Sequence, residues 1–238
     1  YHRYQSRSAA IRPQQETVRL RQDTVQIVGT LMLFHAGIAC SVALIDGGLD
    51  RLWRPYELMA DSDYIGAVSR VSSPGEFLGN YVRLLPELPM HCQTHPPGGP
   101  LFLWLVSQVW GPGPAPAAWA TILAGTLAIP AVFGLARLVL PQRGAVLAAL
   151  LFLLAPCIVL FTATGMDIVF SVPMIWTFFL LWRARTGRET TEAGEAPPAS
   201  VGHALGWGFA GGLTAALAAL FTFSAAFLAI WAVAVLLL

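Results

Sequence analysis

The chain contains apolar runs as long as a bilayer is thick, and nothing else in the sequence restricts its fold as strongly. Residues 24–45 are apolar for about 20 positions, interrupted only by His35 and small polar side chains, which is enough to cross the hydrocarbon core of a membrane. Residues 115–140, 145–164, 168–182, 204–221 and 222–238 repeat the pattern. Backbone polar groups in lipid must be satisfied within the segment, so such runs are expected as helices. Composition agrees: 11% of the residues are charged, against about 25% in soluble domains, and mean hydropathy is +0.63. The expected fold is all-α, a polytopic transmembrane helical bundle with a large first extracytoplasmic loop that carries interfacial helices. The bilayer is its necessary partner, and no nucleic acid is expected.

The charges set an orientation. Residues 1–23 are polar and carry Arg3, Arg7, Arg12, Arg19 and Arg21 against Glu16 and Asp23. A basic flank before the first span predicts a cytoplasmic N-terminal segment. Residues 46–114 then form a loop. Its first part carries Asp46, Asp50, Glu57, Asp61, Asp63, Glu76 and Glu87 against Arg51, Arg54, Arg70 and Arg83. Within it, Ser73-Pro74-Gly75-Glu76 reads as a turn leading into a short helix. Residues 100–110 are apolar but rise only about 17 Å as a helix, too little to span. Trp104 and Trp110 suit a membrane interface, so this segment is expected to lie on the outer surface.

Three spans are expected over 115–183, a cytoplasmic loop over 184–203, and two further spans over 204–238. With 100–110 interfacial, the turn bearing Arg137 and Arg143 and the run of Arg183, Arg185 and Arg188 both fall inside, and Asp167 falls outside. A spanning 100–110 would invert this and break the positive-inside rule. The chain starts at Tyr1 and stops inside an apolar run, which reads as a piece of a longer protein. The absence of Lys among the basic residues and the abundance of Ala suggest a bacterial origin, hence an inner (plasma) membrane.

Chemistry has three candidate seats. Asp61-Ser62-Asp63-Tyr64 puts two carboxylates close to the first span, where they could bind a divalent cation or act as a base; a solvated acidic turn is the plainer alternative. Asp167 is the one charge between Arg143 and Arg183, and either belongs to a site at membrane depth or caps the following helix. His91-Cys92-Gln93-Thr94-His95-Pro96-Pro97 makes a rigid bend before the interfacial helix. His91, Cys92 and His95 lack a fourth zinc ligand and a standard spacing, and His95 reads better as a substrate or phosphate contact. Cys40, Cys92 and Cys157 form no disulfide framework. His35 reads as a helix-packing hydrogen-bond partner, and Gly208-Phe209-Ala210-Gly211-Gly212 as a close-packing face.

The order of these features resembles the GT-C superfamily of membrane glycosyltransferases, nearest to its protein O-mannosyltransferase-like and aminoarabinose transferase-like branch. The likeness lies in a first span, then the acidic motif Asp61-Ser62-Asp63-Tyr64, then Thr94-His95-Pro96-Pro97 leading into Leu101-Phe102-Leu103-Trp104, then two spans and Gly165-Met166-Asp167. It covers roughly residues 20–185. The motif is D-S-D where a D-E pair is commoner, and His95 stands where Lys often precedes the prolines.

The resemblance implies transfer of a sugar from a polyprenyl-phosphate donor to an acceptor hydroxyl or amine at the extracytoplasmic face. It implies that an Asp of the first loop, Asp61 or Asp63 with Asp61 favoured, binds the acceptor and serves as base or metal ligand, with Asp167 as the second acid of the site. A phosphate leaving group needs positive charge. Arg70 and Arg83 therefore join Tyr64 and His95 as substrate-binding candidates. Two other readings compete: a non-catalytic membrane subunit of the same fold that packs on partner proteins, and a transporter. The spans carry almost no charge for a transport pathway.

Overall fold

The computed structural model describes residues 2–45, 47–186 and 201–237, with side chains described from residue 22 to residue 234 of these. The N-terminal arginines and most of the loop expected over 184–203, Arg188 included, lie outside the described side chains. All regular structure among the described residues is helical.

The first helix, α1 (His2–Ala43), contains the apolar stretch Gln22–Ala43. Three more helices, or helix pairs, are long and apolar enough to cross a membrane. One is Pro114–Arg137, made of α6 (Pro114–Thr126) and α7 (Ala128–Arg137), which follow the loop helices described below. The others are α10 (Asp167–Thr186) and α11 (Val201–Phe221). The span expected over 145–164 is bent. The segment is two helices, α8 (Gln142–Leu153) and α9 (Pro156–Thr164), inclined by 56° to each other. Pro156 is the cause: it pushes Ala155 out of helical conformation, to ψ 127°, and starts a new helix. The last apolar segment ends in α12 (Ala226–Leu237).

Proline also marks the joint of α6 and α7. Pro130 has no N–H for the Thr126 carbonyl, and the helix breaks at Leu127. The Leu127 carbonyl is taken up by the Trp176 indole N–H of α10 at 2.8 Å. The α10–α11 pair is tied by Thr177 donating to Thr214 at 3.0 Å. Gly211 lies against Leu181, where a Cβ would approach to 2.6 Å, while Gly206 and Gly212 face open space. The close-packing face of α11 is thus the narrow stripe through Gly208, Gly211, Thr214 and Ala218. Large apolar side chains point outward all around: Leu33 is 77% exposed and Phe209 71%. Water would not tolerate that surface, and lipid does. The protein is an integral membrane protein.

Between α1 and α6 the loop is folded, not extended. It contains α2 (Arg54–Leu58), α3 (Pro74–Leu84), α4 (Met90–Thr94) and α5 (Gly98–Trp110), with a 3₁₀ turn at Tyr64–Arg70. Ser73 caps α3 by accepting from the Glu76 N–H, so the turn read from Ser73-Pro74-Gly75-Glu76 is present. α5 starts two residues before the expected 100. A single buried cluster joins the loop (Tyr56, Tyr64, Phe77, Tyr81, Cys92, Leu103) to the near ends of α6 (Ala117, Ala118), α10 (Ile168, Val169, Phe170) and α11 (Phe221). The loop is therefore the cap on one end of the bundle. A second core of Leu31, Ile129, Phe133, Ala145, Ala149 and Leu153 holds α1, α7 and α8 together.

Candidate functional site

Tyr64 is the centre of the cap. Only 4% exposed, its ring makes contact with three others: Phe170 of α10 edge-on at 5.3 Å, His95 at 5.8 Å and His91 at 5.9 Å. It also lies flat on the N-terminus of α5, where a Cβ on Gly99 would come to 2.5 Å from its Cδ1. Gly98 faces the other way, onto the Leu220 carbonyl and Phe221 of α11. The glycine pair after Pro96-Pro97 therefore lets one helix end pack between the loop and α11 with no side chain in the way.

Asp63 precedes this ring and is buried. Its Oδ1 accepts the Tyr64 N–H at 2.6 Å and lies 3.5 Å from His91 Nδ1. Oδ2 has no hydrogen-bond partner among the described residues. The His91 N–H donates to the Ser62 carbonyl at 3.0 Å, which fixes α4 beside the acidic motif. Tyr81 fixes the other side of the same turn: its hydroxyl is 2.6 Å from the Cys92 carbonyl and 2.9 Å from that of His95. His95 Nδ1 lies 3.1 Å from both the His91 carbonyl and the Thr94 hydroxyl.

Asp167 begins α10, three residues before Phe170, and is exposed. Its carboxylate pairs with no described residue. A carboxylate at a helix N-terminus is favoured by the helix dipole. Asp63 and Asp167 act on the same two phenols. Burial pushes the Tyr64 hydroxyl upward, and both carboxylates push it further. Burial also raises Tyr56, with the two carboxylates adding to it and its bond to Thr121 opposing. Tyr64 thus remains a neutral hydrogen-bond donor at any ordinary pH.

The other expected residues lie apart. Asp61 is exposed and makes no ion pair or hydrogen bond with a described residue, although it stands two positions from Asp63. Arg70 is exposed and faces Glu87 at 3.8 Å. Arg83 is exposed on α3, and neither arginine touches the Tyr64 cluster. Cys92 is wholly buried beneath it, and burial together with Asp63 pushes its thiol up to about 12. Among the described residues no three His, Cys, Asp or Glu side chains converge on one point.

Four participants carried no sequence signal as site residues: Phe170, Tyr56, Tyr81 and Thr121. Tyr56 bonds to Thr121 of α6, whose hydroxyl also lies 3.5 Å from the sulfur of Met166, the neighbour of Asp167. Each is a common core residue type, and only the fold brings them into the cap and its junction with the bundle. His35 is spent elsewhere, on Thr162 of α9 at 3.2 Å, as a packing contact.

A family model described as dolichyl-phosphate-mannose-protein mannosyltransferase matches residues 94–238, more than half of the chain. The chain belongs to that family. It is a membrane glycosyltransferase of the GT-C type. Neither the curated proteins nor the solved structures contain a match to it. The matched part of the glycosyltransferase includes His95, Asp167 and Phe170 and begins after Asp61 and Asp63. Half of the Tyr64 cluster therefore comes from the matched region and half from the loop before it.

Proposed function

We infer that the protein transfers a sugar from a polyprenyl-phosphate-linked donor to an acceptor hydroxyl or amine at the extracytoplasmic face of the membrane. The observation that carries this reading is the buried Tyr64, held by Asp63 and packed on His95 and on Phe170, one turn into the helix that Asp167 begins. Asp63 is the base. Its Oδ1 is occupied by the Tyr64 N–H and His91, which leaves Oδ2 to take the proton of the acceptor. The acceptor oxygen or nitrogen then bonds to the anomeric carbon, the bond from that carbon to the phosphate oxygen breaks, and the electron pair leaves with the phosphate. Tyr64 donates a hydrogen bond to the departing oxygen, and Asp167 holds the sugar.

A non-catalytic subunit would bury its carboxylates against arginine. Asp63 faces a histidine instead, and the loop arginines lie outside the cluster. Charge supports this orientation: the cap carries Asp63 and Asp167, while Arg137 and Arg185 stand at the far ends of α7 and α10, as the positive-inside rule expects of a cytoplasmic side. The test is a transfer assay on purified protein in liposomes with polyprenyl-phosphate mannose and candidate acceptors. Release of polyprenyl phosphate that requires acceptor supports the reading; no turnover with any polyprenyl-phosphate sugar overturns it.

A further inference from the structure

Beside the Tyr64 cluster lies a cavity of about 390 Å³. Its walls are Tyr56 of α2, Ile65 and Val68 of the Tyr64–Arg70 turn, and Leu103 and Val106 of α5. Small-ligand sites occupy about 300–1,000 Å³ and are mostly apolar, as this one is. Three connections join it to the proposed machinery. Ile65 follows Tyr64 in the chain. Leu103 is one helical turn beyond Gly99, on which Tyr64 lies. The Tyr56 phenol responds to both Asp63 and Asp167.

The polar lining is sparse and of one sign. Glu57, Ser69 and Ser107 contribute, and Glu57 is the one charged side chain among the described residues of the lining. It is exposed and makes no ion pair with a described residue. A phosphate entering here would meet a carboxylate, whereas a hydroxyl or ammonium group would meet an acceptor. The surrounding surface is apolar: Leu58 on α2 and Leu105, Val109 and Trp110 on α5 are all exposed. Such a surface meets lipid.

We propose that this cavity is the acceptor subsite and that the acceptor is an amphiphile whose hydrocarbon part fills it. Its head bears a hydroxyl or amine and no phosphate, and is presented toward Asp63. The donor carries a phosphate, so Glu57 turns it away, and it enters on the opposite side of Tyr64, where His95 and Phe170 lie. This assignment rests on the transferase reading of the cluster.

Two photoreactive probes with the same diazirine-bearing hexadecyl chain test it, one ending in a hydroxyl and one in a phosphate. Each is irradiated with the purified protein in neutral detergent, and labelled residues are mapped by mass spectrometry. The alcohol is expected to label Ile65, Leu103 or Val106 about fivefold more than the phosphate. Glu57→Gln, at an exposed position, should lower that ratio, the Asp63 carboxylate keeping part of it, and Val106→Trp should abolish the labelling by filling the space. Equal labelling by the two probes in the unaltered protein, or labelling that survives Val106→Trp, overturns the assignment. Labelling needs no turnover. A protein that labels as stated yet transfers no sugar would count against the transferase reading, and a transferase that fails to label would count against the subsite alone.

Discussion

His91 reaches Asp63 at 3.5 Å because its own N–H is held by the Ser62 carbonyl next door. That backbone bond distinguishes two carboxylates which look alike in sequence: Asp63 has His91 beside it, and Asp61 is exposed. Asp63→Asn should lower kcat by about 10²–10⁴, the usual contribution of a positioned base. Asp61→Asn, at an exposed position with no contacts, should stay within about twofold of the unaltered enzyme. The measurement is initial rate of donor turnover at saturating acceptor. If Asp61→Asn is the inactive variant, the base has been misassigned.

Tyr81 holds the turn between His91 and His95 through two carbonyls. Tyr81→Phe keeps the ring, which packs edge-on against Phe77 at 5.4 Å, and removes the hydroxyl. The loss of about 1 kcal/mol expected for a hydrogen bond should appear as a modest fall in melting temperature. Since the turn carries a partner of Asp63, kcat should fall about tenfold as well. A variant with a lowered melting temperature and unchanged kcat would make Tyr81 a scaffold residue only.

The helical spans were legible because lipid leaves the backbone one option, and the positions of α1, α10 and α11 follow from apolar length alone. The α8–α9 bend was not. Pro156 is plain in the sequence, but prolines inside membrane helices are often accommodated, and Pro173 is accommodated within α10. The site was half legible. Asp167 and His95 stand out as polar residues in apolar or proline-rich surroundings. The choice of Asp63 over Asp61 depends on a contact to residue 91, and the roles of Tyr56, Phe170 and Tyr81 depend on packing between distant segments. No local pattern encodes either. Arg70 is a cation in the same loop, and its partner Glu87 is likewise set by the fold and not by a local pattern.

Tyr56 and Thr121 brace the loop that carries Asp63 against the bundle that carries Asp167. Tyr56→Phe and Thr121→Val should each lower kcat, and the double variant should lose no more than the larger single loss. The coupling expected for one buried hydrogen bond is about 0.5–3 kcal/mol. A cycle on kcat that closes additively would show that the bond does not set the separation of the two carboxylates.

The glycines separate close approach from mere presence. Gly98→Ala would drive a Cβ to 2.5 Å from the Leu220 backbone oxygen, which cannot move aside cheaply, and Gly99→Ala would meet the Tyr64 ring at the same distance. Both should destabilise by about 1–3 kcal/mol, the cost of overpacking. Gly79, within α3, has nothing near it, so Gly79→Ala should stabilise by about 0.5–1 kcal/mol through helix propensity. Melting temperatures in one detergent decide among them, and equal destabilisation by all three would refute the packing argument.

Alkaline pH should weaken the cap. The Cys92 thiol is raised in the folded protein, to about 12 from an ordinary 9.0, chiefly by burial. Below pH 9 the thiol is protonated whether the chain is folded or not, so it contributes no pH dependence. Between about 9 and 12 the unfolded chain ionises and the folded one resists, so unfolding releases a proton and stability falls as pH rises. Tyr56, Tyr64 and Tyr81 are raised as well and steepen the loss at the upper end of that window. Cys92→Ala removes the thiol share of the slope while leaving that of the phenols. Melting temperatures from pH 8 to pH 10.5 should therefore fall less steeply for Cys92→Ala than for the unaltered protein, and identical slopes would mean that Cys92 is solvated in the folded state.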